Sequence, residues 1–309
     1  MIVTVLPTPT SLSVTDLSFT GGNMTNAKAT VEVGPVAFNT PQDGTVLQSI
    51  GSESVFRVAG FCGEQEVAHG SSFILNHEIT SDGIKLWCLT NLHVAKIVLD
   101  LFQTFRMNLQ NGAPEQVIKE IPAGLRVLVG EGTIPIDSVI VPRGEFFKPR
   151  HEQHLDFAIF SFTVPLDRQT RYFPINKNSP ISAGSKAYAL GYPLSMNLSI
   201  ADGLISRVYE DGDGDAERKA GADIEFWKWG IQHNIAINGG NSGGPTISES
   251  GFVIGISTFG SIVGDLLNFS LNASSIYEFI SDKSNLEEIT IQPLVKKLAL
   301  RAVESARYG

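Results

Sequence analysis

The run Asn238-Gly239-Gly240-Asn241-Ser242-Gly243-Gly244-Pro245 sets one serine among four glycines, between Ile231–Ile237 and the strand-like Thr246-Ile247-Ser248. A serine on so tight a loop exposes its hydroxyl, and glycine tolerates the backbone angles that let neighbouring amides turn inward. Amides of Gly240 and Ser242, with Asn241 between them, could stabilise the negative oxygen of a tetrahedral intermediate. Alone, such a run is more often only a turn. A hydroxyl needs a base to become a nucleophile. Six histidines are available (His69, His77, His93, His151, His154 and His233), and His93 stands out in Leu89-Thr90-Asn91-Leu92-His93-Val94-Ala95, at the end of an apolar strand where a helix starts. A lone histidine there is more often structural. The base in turn needs an acid to hold its tautomer. Asp156, in Leu155-Asp156-Phe157-Ala158-Ile159-Phe160, is a carboxylate at the mouth of a strand apolar on both faces. Its plain alternative is an exposed strand-start aspartate. Together the three point to acyl transfer by a serine nucleophile.

Such groups must be carried to one place by the elements around them. Short apolar runs rich in Val, Ile, Thr and Phe predict strands at 55–61, 72–75, 86–90, 125–129, 134–141 and 157–162, and again at 186–192, 203–209, 224–234, 246–248 and 252–258. Two groups of about six strands, joined by a link at 174–180, predict an all-β chain of two packed six-stranded barrels, one over about 51–173 and one over about 181–272. Residues 94–108 predict one short helix. Residues 1–50, rich in Thr, Ser, Gly and Pro, read as a β-rich N-terminal arm, and 283–309 as a helical tail. The last two helices are expected at Ala273–Ser281 and Pro293–Arg307, the second with Leu294, Val295, Leu298, Ala302 and Val303 on one stripe that packs on a barrel or receives a partner.

Composition bounds the rest. The chain has 309 residues, 42% of them apolar, which is enough for a large core. A net charge of −9 gives no field attracting phosphate, so nucleic acid is not an expected partner. No apolar run approaches the length of a membrane-spanning helix. The start Met1-Ile2-Val3-Thr4-Val5-Leu6-Pro7 lacks a charged leader, and only two cysteines occur, Cys62 and Cys88. The expectation is a cytoplasmic protein with two buried thiols.

At this point the chain resembles the trypsin-like serine proteases, and among them the HtrA/Deg type, over residues 53–282. The matching blocks are Gly70-Ser71-Ser72-Phe73-Ile74-Leu75, the segments around His93 and Asp156, Gly184–Pro193, Asp202–Ser206, Ile231–Pro245 and Val253–Thr258. The order His, Asp, Ser is that of chymotrypsin-like enzymes. The resemblance implies a cofactor-free endopeptidase acting on proteins or peptides, with His93, Asp156 and Ser242 as triad. The implied oxyanion hole is Gly240, Asn241 and Ser242, and the specificity pocket lies among Ala236, Ile237, Thr258, Phe259 and Gly260. An activating protein partner or a homo-oligomer is a further implication. The chain departs from the family in three ways. Only 27 residues follow position 282, too few for a PDZ domain; Gln232-His233-Asn234 replaces Gln-Thr-Asp; and residues 1–50 match nothing in the family. The acidic stretch 209–229 falls where HtrA enzymes carry a regulatory loop. Its Asp211, Asp213 and Asp215 imitate a calcium loop, but Ala216 and Ala222 stand where Gly and Glu are needed, which favours a solvated loop without metal. A protease-fold binding protein with little turnover and a viral polyprotein-processing protease stay open as other readings.

Overall fold

The computed structural model describes residues 10–20, 23–38, 40–153, 155–175, 181–209, 230–260 and 267–308. Most of the acidic stretch, 210–229, lies outside them, as does the greater part of the 174–180 link.

Two β lobes are present. In the second, six strands close into a barrel, in the order Lys186–Gly191, Ser199–Val208, Gly230–His233, Asn268–Asn272, Val253–Gly260 and Pro245–Ser248. The first lobe is the half-barrel that completes the expected double-barrel fold, with eight strands where six were expected. It is an eight-stranded sheet in the order Leu286–Thr290, Ser138–Pro142, Ala158–Val164, Gly83–Thr90, Gln65–Thr80, Val55–Cys62, Ala123–Val129 and Gly132–Pro135. One of the outer strands comes from the segment expected to be a helical tail. Leu286–Thr290 is too short and too acidic to read as a strand, yet it completes the sheet beside Ser138–Pro142. Its Glu287 and Glu288 suit an edge that must not pair further.

The helices follow the apolar periodicity with shifted ends. Leu92–Ala95 and Ile97–Gln110 replace the single helix expected at 94–108. Ala273–Ser281 falls where expected, and the last helix runs from Ile291 to Tyr308. Its Val295, Leu298, Ala302 and Val303 are buried in the first lobe's core, which assigns the apolar stripe to packing.

The N-terminal arm is more than extended chain. Strands Thr10–Thr20 and Asn23–Pro35 pair antiparallel, and Thr170–Tyr172 joins the second of them in parallel. Residues 44–54 form a helix that periodicity alone did not reveal. Asp43 caps it, its Oδ1 accepting from the Thr45 and Val46 amides at 2.9 and 3.0 Å. Leu47 and Ile50 of this helix enter a core shared by both lobes, with Phe73, Leu89, Phe157, Leu190 and Ile256. Burying each such side chain is worth about 1.5–3 kcal/mol. This shared core therefore fixes one lobe against the other.

Cys62 and Cys88 are free and buried, as expected. Burial pushes both thiols up, that of Cys88 well above its ordinary value, so neither has thiolate character.

Candidate active site

Strand register brings His93 to Asp156. Strand Gly83–Thr90 runs antiparallel to Ala158–Val164, with Thr90 opposite Ala158 at the open end. The chain leaving at 91–93 therefore faces the chain entering at 155–157. Leu92, Val94 and Ala95 are buried, which turns the partly exposed His93 ring outward. Its Nδ1 lies 2.7 Å from Asp156 Oδ2, and its backbone amide donates to Asp156 Oδ1 at 2.9 Å. Burial pushes the Asp156 carboxyl up, but the His93 ring, the two hydrogen bonds and the more distant Arg150 outweigh it and hold the carboxyl below its ordinary value. Asp156 is thus ionised and aims the imidazole.

Ser242 comes from the other lobe on two consecutive tight turns. The Asn241 amide donates to Asn238 O at 3.0 Å and the Gly244 amide to Asn241 O at 2.9 Å. Gly240 and Gly243, at φ +100° and +88°, occupy the third position of each turn. A hydrogen-bonded turn with positive φ there alone is type II, which requires glycine at that place. Added bulk has no room: a Cβ on Gly243 would lie 2.1 Å from Ser71 O, and one on Gly240 would lie 2.2 Å from Tyr192 O and 2.7 Å from His69 Nε2.

The turns decide which amides are free. Asn241, Gly243 and Gly244 all donate within the protein, Gly243 to Ser257 O at 2.8 Å. Among the described residues, the Gly240 and Ser242 amides have no acceptor. The three-residue oxyanion set expected from sequence is narrowed by this, since the Asn241 amide is spent closing a turn.

Two residues that the sequence did not single out join the lobes here. Ser71, from the first lobe, donates its amide to Ser242 O at 2.7 Å and its hydroxyl to Gly240 O at 2.7 Å, and that hydroxyl accepts from the Tyr192 amide at 3.0 Å. Asn91 donates through Nδ2 to Asp156 O at 2.8 Å and to Thr258 Oγ1 at 3.2 Å. Thr258 is set apart by a bulge, because Ser257 and Phe259 pair with successive residues of Asn268–Asn272. Its carbonyl accepts from the Ser242 hydroxyl at 3.1 Å, so Ser242 rests on Thr258 and not on His93.

The residues expected to line a specificity pocket lie at the same end of the second barrel, where His233 and Gly260 both pair with Asn268. Ala236 is exposed, Ile237 is half-buried against the barrel core, and Thr258 is buried. Phe259 and Gly260 end strand Val253–Gly260. The neighbouring Asn234 and His233 are engaged away from these residues. Asn234 Oδ1 accepts from the Leu204 amide at 2.6 Å. His233 is fully buried, with Nε2 2.9 Å from Ser270 Oγ.

That burial lowers the His233 pKa from 6.5 to about 4. The unfolded chain takes up this proton first, so the stability that His233 contributes as a neutral buried ring is fully present above pH 6.5 and is lost as pH falls toward 4. The loss should reach roughly 3 kcal/mol. Urea unfolding at pH 7 and pH 5 should show it, and His233→Gln, which cannot titrate, should flatten the dependence. An unchanged slope in the variant would assign the effect to other groups.

Residues 70–256 match the family model of the trypsin-like peptidase domain, which is more than half of the chain. The rat serine protease HTR4 is 28% identical over 234 residues, covering 75% of this chain and 38% of that protein. The Arabidopsis thaliana chloroplastic protease Do-like 1 is 31% identical over 107 residues, covering 35% of this chain and 23% of that protein. The chain thus spans well under half the length of these curated relatives. A serine endoprotease of Yersinia pestis superposes with a TM-score of 0.48 at 18% identity, covering 78% of this chain and 66% of that one. On the strength of the family match, the chain belongs to the trypsin-like peptidase family, and the curated relatives it resembles within that family are HtrA-type serine proteases.

Proposed function

We propose that the chain hydrolyses peptide bonds within proteins through an acyl-enzyme on Ser242. The observation that carries this is the pairing of an aimed His93–Asp156 couple with a serine whose turn leaves two amides unengaged. In the proposed reaction the Ser242 hydroxyl leaves Thr258 O and turns to His93 Nε2. Its oxygen attacks the scissile carbonyl while Nε2 takes its proton, and the Gly240 and Ser242 amides donate to the oxyanion. Asp156 accepts from Nδ1–H and stabilises the imidazolium. The tetrahedral species collapses, the C–N bond breaks, and the leaving amine takes the proton from Nε2. Water then repeats the sequence on the ester, giving the acid and free Ser242. A fluorophosphonate probe tests this: it should label the wild-type protein and not Ser242→Ala. Failure to label under any condition, candidate partners included, would favour a protease fold kept for binding.

Cleavage should follow small or medium apolar residues. Ala236 stands six residues before Ser242, where trypsins hold the aspartate that pairs with Arg or Lys, and neither it nor Ile237 can pair with a cation. Burying an unpaired ammonium there would cost several kcal/mol. A peptide library read by mass spectrometry should return Val, Ala, Ile or Leu before the cut. Dominant cleavage after Arg, Lys, Asp or Glu would place the pocket elsewhere. Control through the acidic stretch belongs to the same proposal. It is supported by the bond from the Tyr209 amide to Gly230 O, 3.0 Å, which closes the base of that stretch on the strand leading to the site.

A further inference from the structure

An oxyanion hole depends on which way one peptide plane faces. The plane between Gly239 and Gly240 is the central plane of the turn Asn238–Asn241. Rotating it by half a turn converts type II into type I and carries the Gly240 amide to the opposite side. Glycine at both positions leaves either state open to the turn by itself. Something outside the turn must choose between them.

The segment 192–196 makes the contact that chooses. The Leu194 amide donates to Gly239 O at 2.8 Å, which is the carbonyl of that same plane. With the carbonyl held on one side, the Gly240 amide is held on the other. The Tyr192 carbonyl lies against Gly240 from the same segment, and Ser71 holds the next carbonyl, Gly240 O. Leu194 reaches this position in a left-handed conformation, φ 51° and ψ 35°. It is the only non-glycine residue with positive φ among the described residues. Its side chain is 67% exposed, so core packing does not hold it there. A strained backbone at an exposed leucine, spent on one hydrogen bond to the oxyanion loop, points to function.

The geometry points to Leu194 as a positioning residue: its left-handed backbone presents the amide that fixes the Gly239–Gly240 plane with the Gly240 N–H toward the scissile carbonyl. The inference rests on the serine-protease mechanism proposed above. Its signature is that activity follows backbone preference at position 194 and not side-chain hydrophobicity. Glycine and asparagine adopt the left-handed region readily, β-branched residues resist it, and proline both forbids it and lacks the amide.

The test measures kcat and KM for one peptide substrate, and the inhibition constant of a peptide aldehyde whose tetrahedral adduct uses the oxyanion hole. Leu194→Gly and Leu194→Asn should keep kcat within about twofold of wild type. Leu194→Val should lower it roughly tenfold and Leu194→Pro roughly a hundredfold, with KM little changed. Aldehyde affinity should fall in step with kcat. Should Leu194→Pro fail to fold, the contrast between the asparagine and valine variants still decides. The reverse ranking, with the valine variant active and the glycine and asparagine variants impaired, would make Leu194 an apolar contact and overturn the inference. So would losses confined to KM, or a kcat loss that the aldehyde does not share. Failure of the underlying mechanism would look different, as a wild-type protein that no fluorophosphonate labels.

Discussion

Ser242→Ala and His93→Ala should each lower kcat by roughly a million-fold, and the double variant should be little worse than either single one. The non-additivity is the informative part. A serine without its base is not a nucleophile, and a base without its serine has nothing to activate, so the second deletion removes what the first has already disabled. What survives is the binding cleft and the two free amides of Gly240 and Ser242, which still favour a tetrahedral oxyanion when water attacks. Stability should separate the two variants. The Ser242 hydroxyl makes one bond, to Thr258 O, so Ser242→Ala should unfold within about 0.5 kcal/mol of wild type. His93→Ala strips Asp156 of the ring at 2.7 Å and leaves a buried carboxyl with the residue-93 amide as remaining partner, at a cost of roughly 1–3 kcal/mol. Steady-state cleavage of a peptide beside urea unfolding tests both parts. Near-wild-type cleavage by either single variant would remove Ser242 and His93 from the chemistry, and a double variant far slower than both would show that they act independently.

How far the sequence carries depends on whether a feature is local. The candidate nucleophile, base and acid could be read because each sits in a local pattern: a serine among glycines, a histidine where strand turns to helix, an aspartate at a strand mouth. Strand positions could be read for the same reason, since Val55–Cys62 and Gly83–Thr90 are mostly apolar runs, interrupted by single charges at Arg57 and Lys85. Ser71 and Asn91 could not, because their bonds to Gly240, Ser242, Asp156 and Thr258 join segments far apart in the chain, most of them across the two lobes. Nothing near Ser71 in the chain distinguishes it from Ser72 beside it. The helix at 44–54 had a local signal, Asp43 before Leu47 and Ile50, that the surrounding Thr, Ser and Gly obscured. Leu286–Thr290 had none, because an edge strand with two glutamates becomes a strand only when Ser138–Pro142 offers its backbone. Leu194 is a case of the same kind. A leucine after a proline gives no hint of a left-handed backbone until its partner, Gly239, is in place.

Asp156→Asn should cost about ten-thousand-fold in kcat while leaving the fold intact, the size of loss known for this change in Ser–His–Asp proteases. Both carboxylate oxygens here accept hydrogen bonds, Oδ1 from the His93 backbone amide and Oδ2 from the ring Nδ1. A carboxylate can serve two donors at once, whereas an amide has one accepting oxygen and one donating nitrogen. The backbone N–H of His93 is always a donor, so the oxygen of the introduced side-chain amide must turn to it, and the NH2 group then faces Nδ1. The ring can meet that NH2 only as an acceptor, which places its own proton on Nε2. That nitrogen is the one that must receive the Ser242 proton, so the base is present, correctly placed and in the wrong tautomer. The opposite amide orientation would set two donors against each other in a buried site, where an unmade hydrogen bond costs roughly 1–3 kcal/mol. The expected result is therefore a folded protein that binds a product peptide as wild type does, is labelled by fluorophosphonate about as slowly as it turns over substrate, and keeps its unfolding midpoint to within a few degrees. An Asp156→Asn protein within tenfold of wild-type kcat would show that Asp156 does not set the His93 tautomer, and that its bond to Nδ1 only holds the two strand mouths together.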